Sequence, residues 1–581
     1  MLRALRVLGV ILGGPLVYDP VKADQVVALE FDAQGRYLEA KIYPFNEQDL
    51  PRYLYKNAKG SNPPTLTPTL LLNRTSIQKS LKNARNAYRK LRDLNPSLPD
   101  LELTNEALWP VMADHIAQVI EGLRKRERVL LTVRIDGQWM GEREDIRQAL
   151  LAKFREEGRE SVALGTCAIC GEEKEVSGDI SPFKFYTIDK PGYVVGGFDK
   201  TLAYKAFPLC YDCRDLIQRG RQHVEANLTF AFAPSIRYLL IPDFIFGAEA
   251  VRRDVMDILI EDREQRQQRL HTLSRQEVRR ITADEEDILD LLSQERDVMT
   301  FHFLFMSRQQ SREAIDLYVQ DVYPSRLRAL LQAKSTVDRI LRLPREDGTW
   351  REYDFTYTIL YRFFSKADPN KRNPDLLRHF YDLVDRTFRV APVSTRYLIP
   401  FLMLQIRHDV VTPDRRDQGL YRWTILDALA ALLFVQLTTQ KEVLMSDQNP
   451  TTLEDFLNSL PALDSDLKKG LFLLGALTER LLRVQSQERG NAPFWKSLKS
   501  LKMTETDLKG LLPKVRNKLQ EYDRFRGGED MLFQKASAYF AQSPSPWRMS
   551  VDELNFYFAL GMGLFPKVAQ FIYTKKEEVE A

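Results

Sequence analysis

The chain has 581 residues, of which 44% are hydrophobic, 10% aromatic and 28% charged. These proportions are those of a folded globular protein, and they exclude extensive disorder. Its 84 basic and 80 acidic residues leave a net charge of only +4, so any binding to nucleic acid must depend on local basic surfaces. Because one hydrophobic core rarely serves more than about 250 residues, the length predicts several domains.

The N-terminus carries Arg3 and Arg6 before an apolar run over residues 7–17, a pattern that faintly resembles a secretory signal. Gly13-Gly14-Pro15 interrupts the run and no convincing cleavage site follows, which favours a buried first helix and turn. No other stretch reaches the ~20 uninterrupted apolar residues of a membrane helix. Because the chain has only four cysteines, it is not a disulfide scaffold. We predict a cytoplasmic protein that does not bind membranes.

Residues 1–160 combine strand and helix patterns, which predicts a mixed N-terminal domain. The predicted strands are Val26–Phe31 and Tyr37–Tyr43, on either side of a turn, and the buried Val129–Val133. Thr75 or Ser76 is expected to cap a helix that runs to about Leu94.

That predicted helix carries basic side chains, and no acidic residue interrupts them before Asp93. Lys79, Lys82, Arg85 and Arg89 fall at helical spacing, so several positive charges share one broad face. Contacts between such a face and phosphates would add salt-dependent, sequence-independent affinity for nucleic acid. The alternative is an ordinary solvated face, which is what most basic runs are.

The polar loop over residues 56–69 precedes this helix and offers Asn57 and Lys59 next to Gly60. A loop of this kind can enter a groove of DNA and contact base edges. Most polar loops have no such role, so the loop is a candidate only.

All four cysteines lie in two C-x-x-C pairs, Cys167 with Cys170 and Cys210 with Cys213. Four thiolates satisfy tetrahedral zinc and leave no open coordination position, so the spacing predicts a structural zinc site, with about one ion per chain. Unpaired structural cysteines are one alternative, which the two matched pairs disfavour. A redox C-x-x-C is another, and the absence of a thioredoxin-like strand and helix around the pairs disfavours it.

From about residue 248 the pattern becomes helical. Residues 248–296 predict a pair of long solvated helices, and 301–340 and 372–440 predict further amphipathic helices. Thr451 with Glu454 is a predicted capping box. The remaining chain predicts a helical bundle with loops at Gly490–Pro493, Gly527–Gly528 and Ser543–Pro546.

The predicted fold class is therefore α+β with a mainly α-helical C-terminal half. We expect a mixed N-terminal domain over 1–160, a zinc-binding region with two C-x-x-C knuckles over 161–245, a helical domain over 246–440 and a helical bundle over 441–581. Within the bundle, Lys496, Lys499 and Lys502 recur at three-residue spacing. They are a second candidate for contacts with a nucleic-acid backbone, with a solvated face again as the alternative.

Three sequence blocks carry a resemblance to a known family. The first holds Cys167-Ala-Ile-Cys170-Gly171, Pro182–Thr187, Asp189–Gly192 and Phe207–Cys213, followed by Arg237–Pro242; the second is Asp321–Leu327, and the weaker third is Phe556–Gly561. Together they resemble the large subunit of the type I-B CRISPR Cascade surveillance complex. Residues 248–300 and 340–440 carry no matching motif.

The resemblance implies a non-catalytic subunit of a guide-RNA-directed antiviral complex. It implies contacts with the guide RNA and with the backbone, guide-end and small subunits. It also implies that the N-terminal domain helps to recognise the protospacer-adjacent motif in target double-stranded DNA, that the subunit helps to open the duplex, and that it recruits a helicase–nuclease. The C-terminal bundle resembles the small subunit, which in some relatives is also made from an internal start. Met445 is a candidate start, although an ordinary methionine is slightly favoured.

Two other classes of protein remain as alternatives, a zinc-ribbon nuclease or transposase-like enzyme and a general protein-binding scaffold. The sequence contains no G-x-x-x-x-G-K-[ST] phosphate-binding loop and no H-E-x-x-H, and its six histidines are scattered. His408-Asp409 is a single dipeptide, which is weak evidence for a metal phosphohydrolase. We therefore expect no enzymatic activity.

Overall fold

The computed structural model describes residues 1–12, 18–19, 21–57, 65–124, 126–155, 159–178, 180–186, 188, 199–244, 299–309, 312–344, 349–365, 374–440 and 450–573. They belong to two compact units. Unit 1 comprises Met1–Ala226 with Ser307–Ala314, and unit 2 comprises Asn227–Met306 with Ile315–Ala581. The fold is mixed α+β with a mainly helical second half, as predicted.

A five-stranded sheet forms the first part of unit 1. Its strands are β1 Gln25–Phe31, β2 Tyr37–Pro44, β3 Leu70–Leu71, β4 Val129–Ile135 and β5 Gln138–Trp139. The order is β2-β1-β4-β3, with β5 paired to β4, and β1 runs parallel to β4. The predicted strands correspond to β1, β2 and β4 and are confirmed. The apolar residues of β1 and β4 are buried along nearly the whole of each strand because helices pack against the sheet, whereas β2 is only partly buried and its Leu38 is exposed.

The helices of unit 1 are α1 Leu2–Ile11, α2 Leu50–Tyr53, α3 Ile77–Leu94, α4 Trp109–Val119, α5 Glu144–Arg155 and α6 Tyr211–Asn227. Tyr88 of α3, Met112 of α4 and Leu150 of α5 share one core with Val27 and Leu29 of β1. The predicted first helix is confirmed, but only one face of it is buried: an added Cβ at Gly9 would come within 2.1 Å of the Leu216 carbonyl oxygen of α6, whereas Val7, Val10 and Ile11 are exposed. The turn predicted after this helix lies outside the described residues.

Three short strands complete unit 1 around the cysteines. They are β6 Val162–Thr166, β7 Glu173–Ser177 and β8 Leu209–Cys210, in the order β6-β7-β8 with antiparallel pairing throughout. The turn predicted at residues 189–192 lies outside the described residues.

Unit 2 begins with most of a four-stranded antiparallel sheet, of which the described residues 307–309 and 312–314 belong to unit 1. Its strands are β9 Thr229–Ala233, β10 Ile236–Phe244, β11 Met299–Gln309 and β12 Arg312–Val322, in the order β12-β11-β10-β9. The prediction of helix over the first part of 301–340 is wrong. Phe301, Phe303 and Phe305 stand at every second position and are fully buried, which is the period of a strand. The helix begins only at Pro324.

The helices that follow are α7 Pro324–Leu341, α8 Tyr357–Arg362, α9 Pro374–Arg389, α10 Thr395–Val411, α11 Pro413–Asp417, α12 Leu420–Thr439, α13 Leu453–Ser459, α14 Asp466–Arg489, α15 Glu505–Glu521, α16 Gly527–Gln542, α17 Val551–Gly563 and α18 Phe565–Ile572. The structure therefore confirms that residues 372–440 and the predicted C-terminal bundle are mainly helical. The predicted helix pair over 248–296 and the candidate start Met445 lie outside the described residues.

The helix α12 forms the core of the helical part of unit 2. It is long and apolar enough to cross a membrane by length and composition, the one such helix in the described part of the chain. Of its 20 residues, 16 are buried, and α7, α9, α10 and α17 pack on it. Its apolar length is therefore explained by burial within the protein.

The helices α14 and α17 approach each other through two glycines. A Cβ added at Gly475 would lie 1.8 Å from the Phe558 carbonyl oxygen, and one added at Gly561 would lie 1.8 Å from the Phe472 carbonyl oxygen. The absence of side chains at these two positions therefore permits the close contact of the two backbones.

Two local predictions in the bundle are corrected. The capping box of α13 is formed by Thr452 and Asp455, one residue beyond the predicted pair, because Thr452 has the extended backbone of an N-cap. The predicted loop at Gly527–Gly528 is wrong, since α16 begins at Gly527. The predicted breaks after α14, at Gly490, and at Ser543–Pro546 are confirmed.

Candidate metal centre and nucleic-acid interface

The two C-x-x-C pairs stand at the junctions between short elements of unit 1. Cys167 and Cys170 lie in the turn between β6 and β7, while Cys210 ends β8 and Cys213 lies in the first turn of α6. The β7–β8 register places Val176 opposite Cys210, which brings the β6–β7 hairpin beside the start of α6. Residues that are distant in the chain thereby become neighbours.

The turn that carries the first pair is closed by backbone hydrogen bonds. Gly171 N donates to Cys167 O at 2.9 Å, and Cys167 N donates to Glu172 O at 2.9 Å. Gly171 has φ +75°, a conformation that favours glycine. Ala168 N donates to Pro208 O at 2.8 Å and so ties the first turn to the segment before the second pair.

The four sulfurs converge on one point. All four Sγ atoms lie within 4.8 Å of one another, and Cys170 Sγ is 4.0 Å from Cys210 Sγ. Cys167, Cys210 and Cys213 are buried and Cys170 is half-buried. The predicted clustering is confirmed, and the site is suited to a metal ion. Among the described residues it is the one cluster of histidine, cysteine and acidic side chains with that geometry.

The environment of the sulfurs alters their acidity in opposite directions. Burial raises the pKa of the Cys210 thiol to about 11 and raises the pKa of the Cys213 thiol further. Burial also acts on Cys167, but backbone N–H groups of Cys170, Cys210 and Ile169 donate to its sulfur and lower its pKa to about 7. A cation bound among the sulfurs would displace the remaining thiol protons.

One face of the helix α3 is exposed and carries basic side chains. Leu81, Ala84, Tyr88 and Leu91 are buried in the core of unit 1. Lys79, Lys82, Arg89 and Lys90 are exposed, and in the described part of the chain none of the four forms an ion pair. Three of the four predicted contact residues of this helix therefore lie on the exposed face, and Lys90 joins them.

Arg85 does not belong to that face. It is buried, forms an ion pair with Glu106, and lies over the Trp109 ring at 5.0 Å. Its role in unit 1 is to fasten α3 to the start of α4. Helical spacing alone gave no sign of this, because the acidic partner comes from another element.

The predicted contact residues of the preceding loop are only partly described. Asn57 is half-buried; its backbone N–H donates to Asp19 Oδ2 at 2.9 Å and its side-chain amide donates to Tyr55 OH at 3.0 Å. Lys59 lies outside the described residues. Asn57 therefore has hydrogen-bond partners within unit 1. The role predicted for Lys59 stays a prediction.

Comparison with protein-family models covers almost the whole chain. The N-terminal, central and C-terminal domain models of CRISPR-associated protein TM1802 (cas_TM1802) match residues 1–152, 164–322 and 355–577. The chain belongs to the TM1802 family of CRISPR-associated proteins. The predicted association with CRISPR is confirmed. Among curated proteins, none matches the chain.

The candidate residues fall in three different domains of the TM1802 family. The N-terminal model covers α3, the central model covers all four cysteines, and the C-terminal model covers the predicted lysines of the bundle. The four predicted domains and their three boundaries remain a prediction.

The predicted lysine stripe of the TM1802 C-terminal domain does not lie on an α-helix. Lys496 and Lys499 belong to the short 3₁₀ segment Pro493–Leu501, and Lys502 follows it. Lys499 has φ +47° and pairs with Asp507 at 2.6 Å. Lys496 and Lys502 are exposed.

Sequence reasoning missed two arginine–tryptophan stacks in unit 2. Arg342 lies over Trp350 and Arg351 lies over Trp423. The second stack joins residues from distant parts of the chain, so periodicity within one element gave no signal. His408-Asp409, in contrast, has a structural explanation. Asp409 is fully buried and accepts hydrogen bonds from Arg415 and Thr424.

Proposed function

We propose that this protein is the large, non-catalytic subunit of a type I-B guide-RNA-directed DNA surveillance complex. The observation that carries the proposal is the match to all three domain models of one CRISPR-associated family along the chain. In this role it helps to recognise the protospacer-adjacent motif, helps to open the target duplex and recruits the helicase–nuclease.

The cysteine cluster fits zinc. Tetrahedral zinc–thiolate bonds of about 2.3 Å separate neighbouring sulfurs by about 3.8 Å. The observed Cys170–Cys210 separation of 4.0 Å and the 4.8 Å limit for the whole set need only small side-chain adjustments. Cys167, Cys170, Cys210 and Cys213 would hold the ion as two C-x-x-C knuckles with no open position. Such an ion fastens the β6–β7 hairpin to the β8–α6 junction and performs no chemistry.

The exposed face of α3 is the leading candidate for contact with the DNA backbone. Lys79, Lys82, Arg89 and Lys90 present four positive charges without a neutralising partner in the described residues. Each lysine or arginine that meets a phosphate releases a counterion, which makes the affinity salt-dependent. Arg85 supports this face indirectly, because its pair with Glu106 holds the helix in place. Lys59, Lys496 and Lys502 remain candidates for further contacts.

The partners of such a subunit are the guide RNA, the backbone, guide-end and small subunits, and target double-stranded DNA, in the cytoplasm. The helical part of unit 2 supports a role resembling that of the small subunit, since α14 to α18 form a closely packed bundle.

Reconstitution of the complex with and without this chain tests the proposal. We expect its omission to abolish both motif-dependent binding of target duplex and degradation by the added helicase–nuclease. The isolated chain, incubated with magnesium or manganese and labelled DNA or RNA, should cut neither. Cleavage that disappears when one acidic residue is substituted would contradict the proposal and favour a zinc-ribbon nuclease.

A further inference from the structure

The exposed basic face of α3 also carries two asparagines. Asn83 and Asn86 are exposed, and they lie between Lys82 and Arg89 along the helix. An α-helix turns by about 100° per residue, so Asn83, Lys82 and Arg89 all lie within about 60° of Asn86 around the helix axis. The two amides and the flanking cations therefore share one continuous surface.

The cations stand at both ends of that surface. Lys79 and Lys82 precede the asparagines and Arg89 and Lys90 follow them, while Asp93, the one acidic residue of α3, lies beyond all four. At about 1.5 Å per residue, Lys82 and Arg89 are about 10 Å apart along the axis. The major groove of B-DNA is about 12 Å wide and accepts an α-helix. The two pairs of cations therefore fit the phosphates of the two strands, with the amides between them.

The local contacts of the asparagines suit them to a ligand. The Asn83 side chain is exposed and forms no hydrogen bond within the described part of the chain. Asn86 Oδ1 accepts a hydrogen bond from Arg85 Nε at 3.2 Å, and Arg85 is itself buried and paired with Glu106. This bond orients the Asn86 amide before any ligand arrives, which reduces the entropy that binding must remove. It also leaves the Nδ2 donor of Asn86 for a ligand.

We propose that Asn83 and Asn86 read the edges of neighbouring base pairs in the major groove of duplex DNA, so that α3 supplies sequence preference as well as affinity. The inference rests on the proposed function, which brings α3 to the target duplex. A side-chain amide forms two hydrogen bonds with adenine, at N6 and N7, and no other base presents that pattern in the major groove.

The spacing of the two asparagines matches that of base pairs. They lie about 4.5 Å apart along the helix axis, close to the rise of about 3.4 Å between base pairs. Contacts of lysine and arginine with phosphates fix the position of a protein on a duplex, whereas contacts with base edges select the sequence. The cations and the amides of α3 therefore have separate, measurable effects.

The test measures which duplexes the assembled complex selects when the base pairs beside the guide-matched sequence are randomised, as read by sequencing. We expect the wild type to prefer adenine at adjacent positions. Asn83→Ala with Asn86→Ala should lower this preference by roughly tenfold per position and leave the salt dependence of binding unchanged, since the phosphate contacts remain. Alanine favours a helix, so the variant should fold. Gln118→Ala, which removes an exposed amide from α4, is the control and should keep the preference.

A modified base tests the groove. In 7-deazaadenine a C–H group replaces N7, so the major-groove edge alone loses an acceptor. Replacement of the preferred adenines by 7-deazaadenine should weaken binding of the wild type and leave binding of the asparagine double variant unchanged. An equal loss in both proteins would show that other groups contact N7 and would overturn the inference.

A base preference that survives in the double variant would also overturn the inference, as would a wild-type complex that binds every sequence equally. Weaker binding of all sequences with a shallower salt slope would make the asparagines backbone contacts, and loss of a partner subunit would make α3 a protein-docking face; both results contradict base reading. If the wild-type complex binds no duplex, the proposed function fails and the inference with it. Duplex binding that is intact but indifferent to Asn83 and Asn86 refutes the inference alone.

Discussion

Cys170 Sγ lies 4.0 Å from Cys210 Sγ, although 40 residues separate the two cysteines in the chain. This proximity joins a hairpin turn to the start of a helix, and it places four sulfurs around one point. A site of this kind is closed, so a metal held there contributes to folding and leaves no position for a substrate.

The first prediction concerns metal content. Cys210→Ser should reduce the zinc content of the purified protein from about one ion per chain to a small fraction of that, measured by elemental analysis. The free energy of unfolding should fall by at least about 3 kcal/mol, because the binding energy of a structural ion is folding energy. Lys174→Gln is the matched control, since Lys174 lies on β7 beside the site and pairs with Asp212. Equal zinc content in wild type and Cys210→Ser would contradict the assignment.

The second prediction concerns α3. Lys82→Glu with Arg89→Glu should weaken duplex DNA binding by the assembled complex. The slope of log affinity against log salt should become shallower by about one for each phosphate that the helix no longer binds. Lys41→Glu is the control, because Lys41 is exposed elsewhere on unit 1 and already pairs with Glu39. An unchanged slope in the double variant would remove α3 from the interface.

Arg85 separates the structural role of this helix from its binding role. Arg85→Gln should lower the free energy of unfolding by about 1–2 kcal/mol, since it removes the ion pair with Glu106 and the stacking on Trp109. The salt dependence of DNA binding should stay that of the wild type. A flattened slope would mean that Arg85 binds phosphate after all.

The third prediction concerns the packing of α14 on α17. Gly475→Ala places a methyl group against the Phe558 carbonyl oxygen, so the helices must move apart. We expect a loss of at least about 2 kcal/mol in the free energy of unfolding, measured by urea denaturation. Gly510→Ala in α15 is the matched control, since an added Cβ there meets nothing within 4 Å. That control should be neutral or stabilising by up to about 1 kcal/mol, and equal effects of the two substitutions would refute the packing argument.

The fourth prediction concerns Lys567, whose ammonium group is buried and donates to the Ile340 carbonyl oxygen at the end of α7. Burial, with a smaller effect from the charge of Arg342, lowers its pKa from 10.5 to about 8. Between these two values the unfolded chain binds the proton and the folded protein does not, so stability rises with pH in that window. The cost of holding the charge is full below about pH 8 and disappears above about pH 10.5.

Substitution of Lys567 by methionine removes this titration. The stability of the wild type relative to Lys567→Met should therefore rise by up to about 3 kcal/mol between the two ends of the window, measured by urea denaturation across pH. Lys514→Met, at an exposed position of α15, should show no such change relative to the wild type. A wild-type advantage that is constant with pH would contradict the burial of the charge.

Local sequence patterns predicted those helices and strands whose defining residues lie close together in the chain. The strands β1 and β4 were recognisable as short continuous apolar runs, which are buried along nearly their whole length. The basic helix α3 was recognisable because its buried residues recur with the helical period. The cysteine cluster was predictable for a different reason, since two C-x-x-C pairs have few chemical roles other than a shared ion. The hairpin β11–β12 was missed because its apolar residues also satisfy a three- to four-residue spacing.

Features that depend on contacts between distant elements could not be predicted from local sequence patterns. The pairing of the buried Arg85 with the exposed Glu106 depends on how α3 meets the segment before α4. The stack of Arg351 on Trp423 depends on where the two-stranded ribbon of Leu343–Pro344 and Trp350–Arg351 meets α12. Both depend on tertiary packing, which periodicity and composition do not encode.

The most direct test of the central claim is whether guide RNA co-purifies with this protein. The full-length chain, tagged and purified from cells that express it with its CRISPR-associated gene neighbours and repeat array, should retain guide RNA and several partner subunits, as read by RNA sequencing and mass spectrometry. The same purification after Cys167→Ser with Cys210→Ser should recover less of the complex. Recovery of the chain alone, free of repeat-derived RNA and of partner subunits, would contradict the claim.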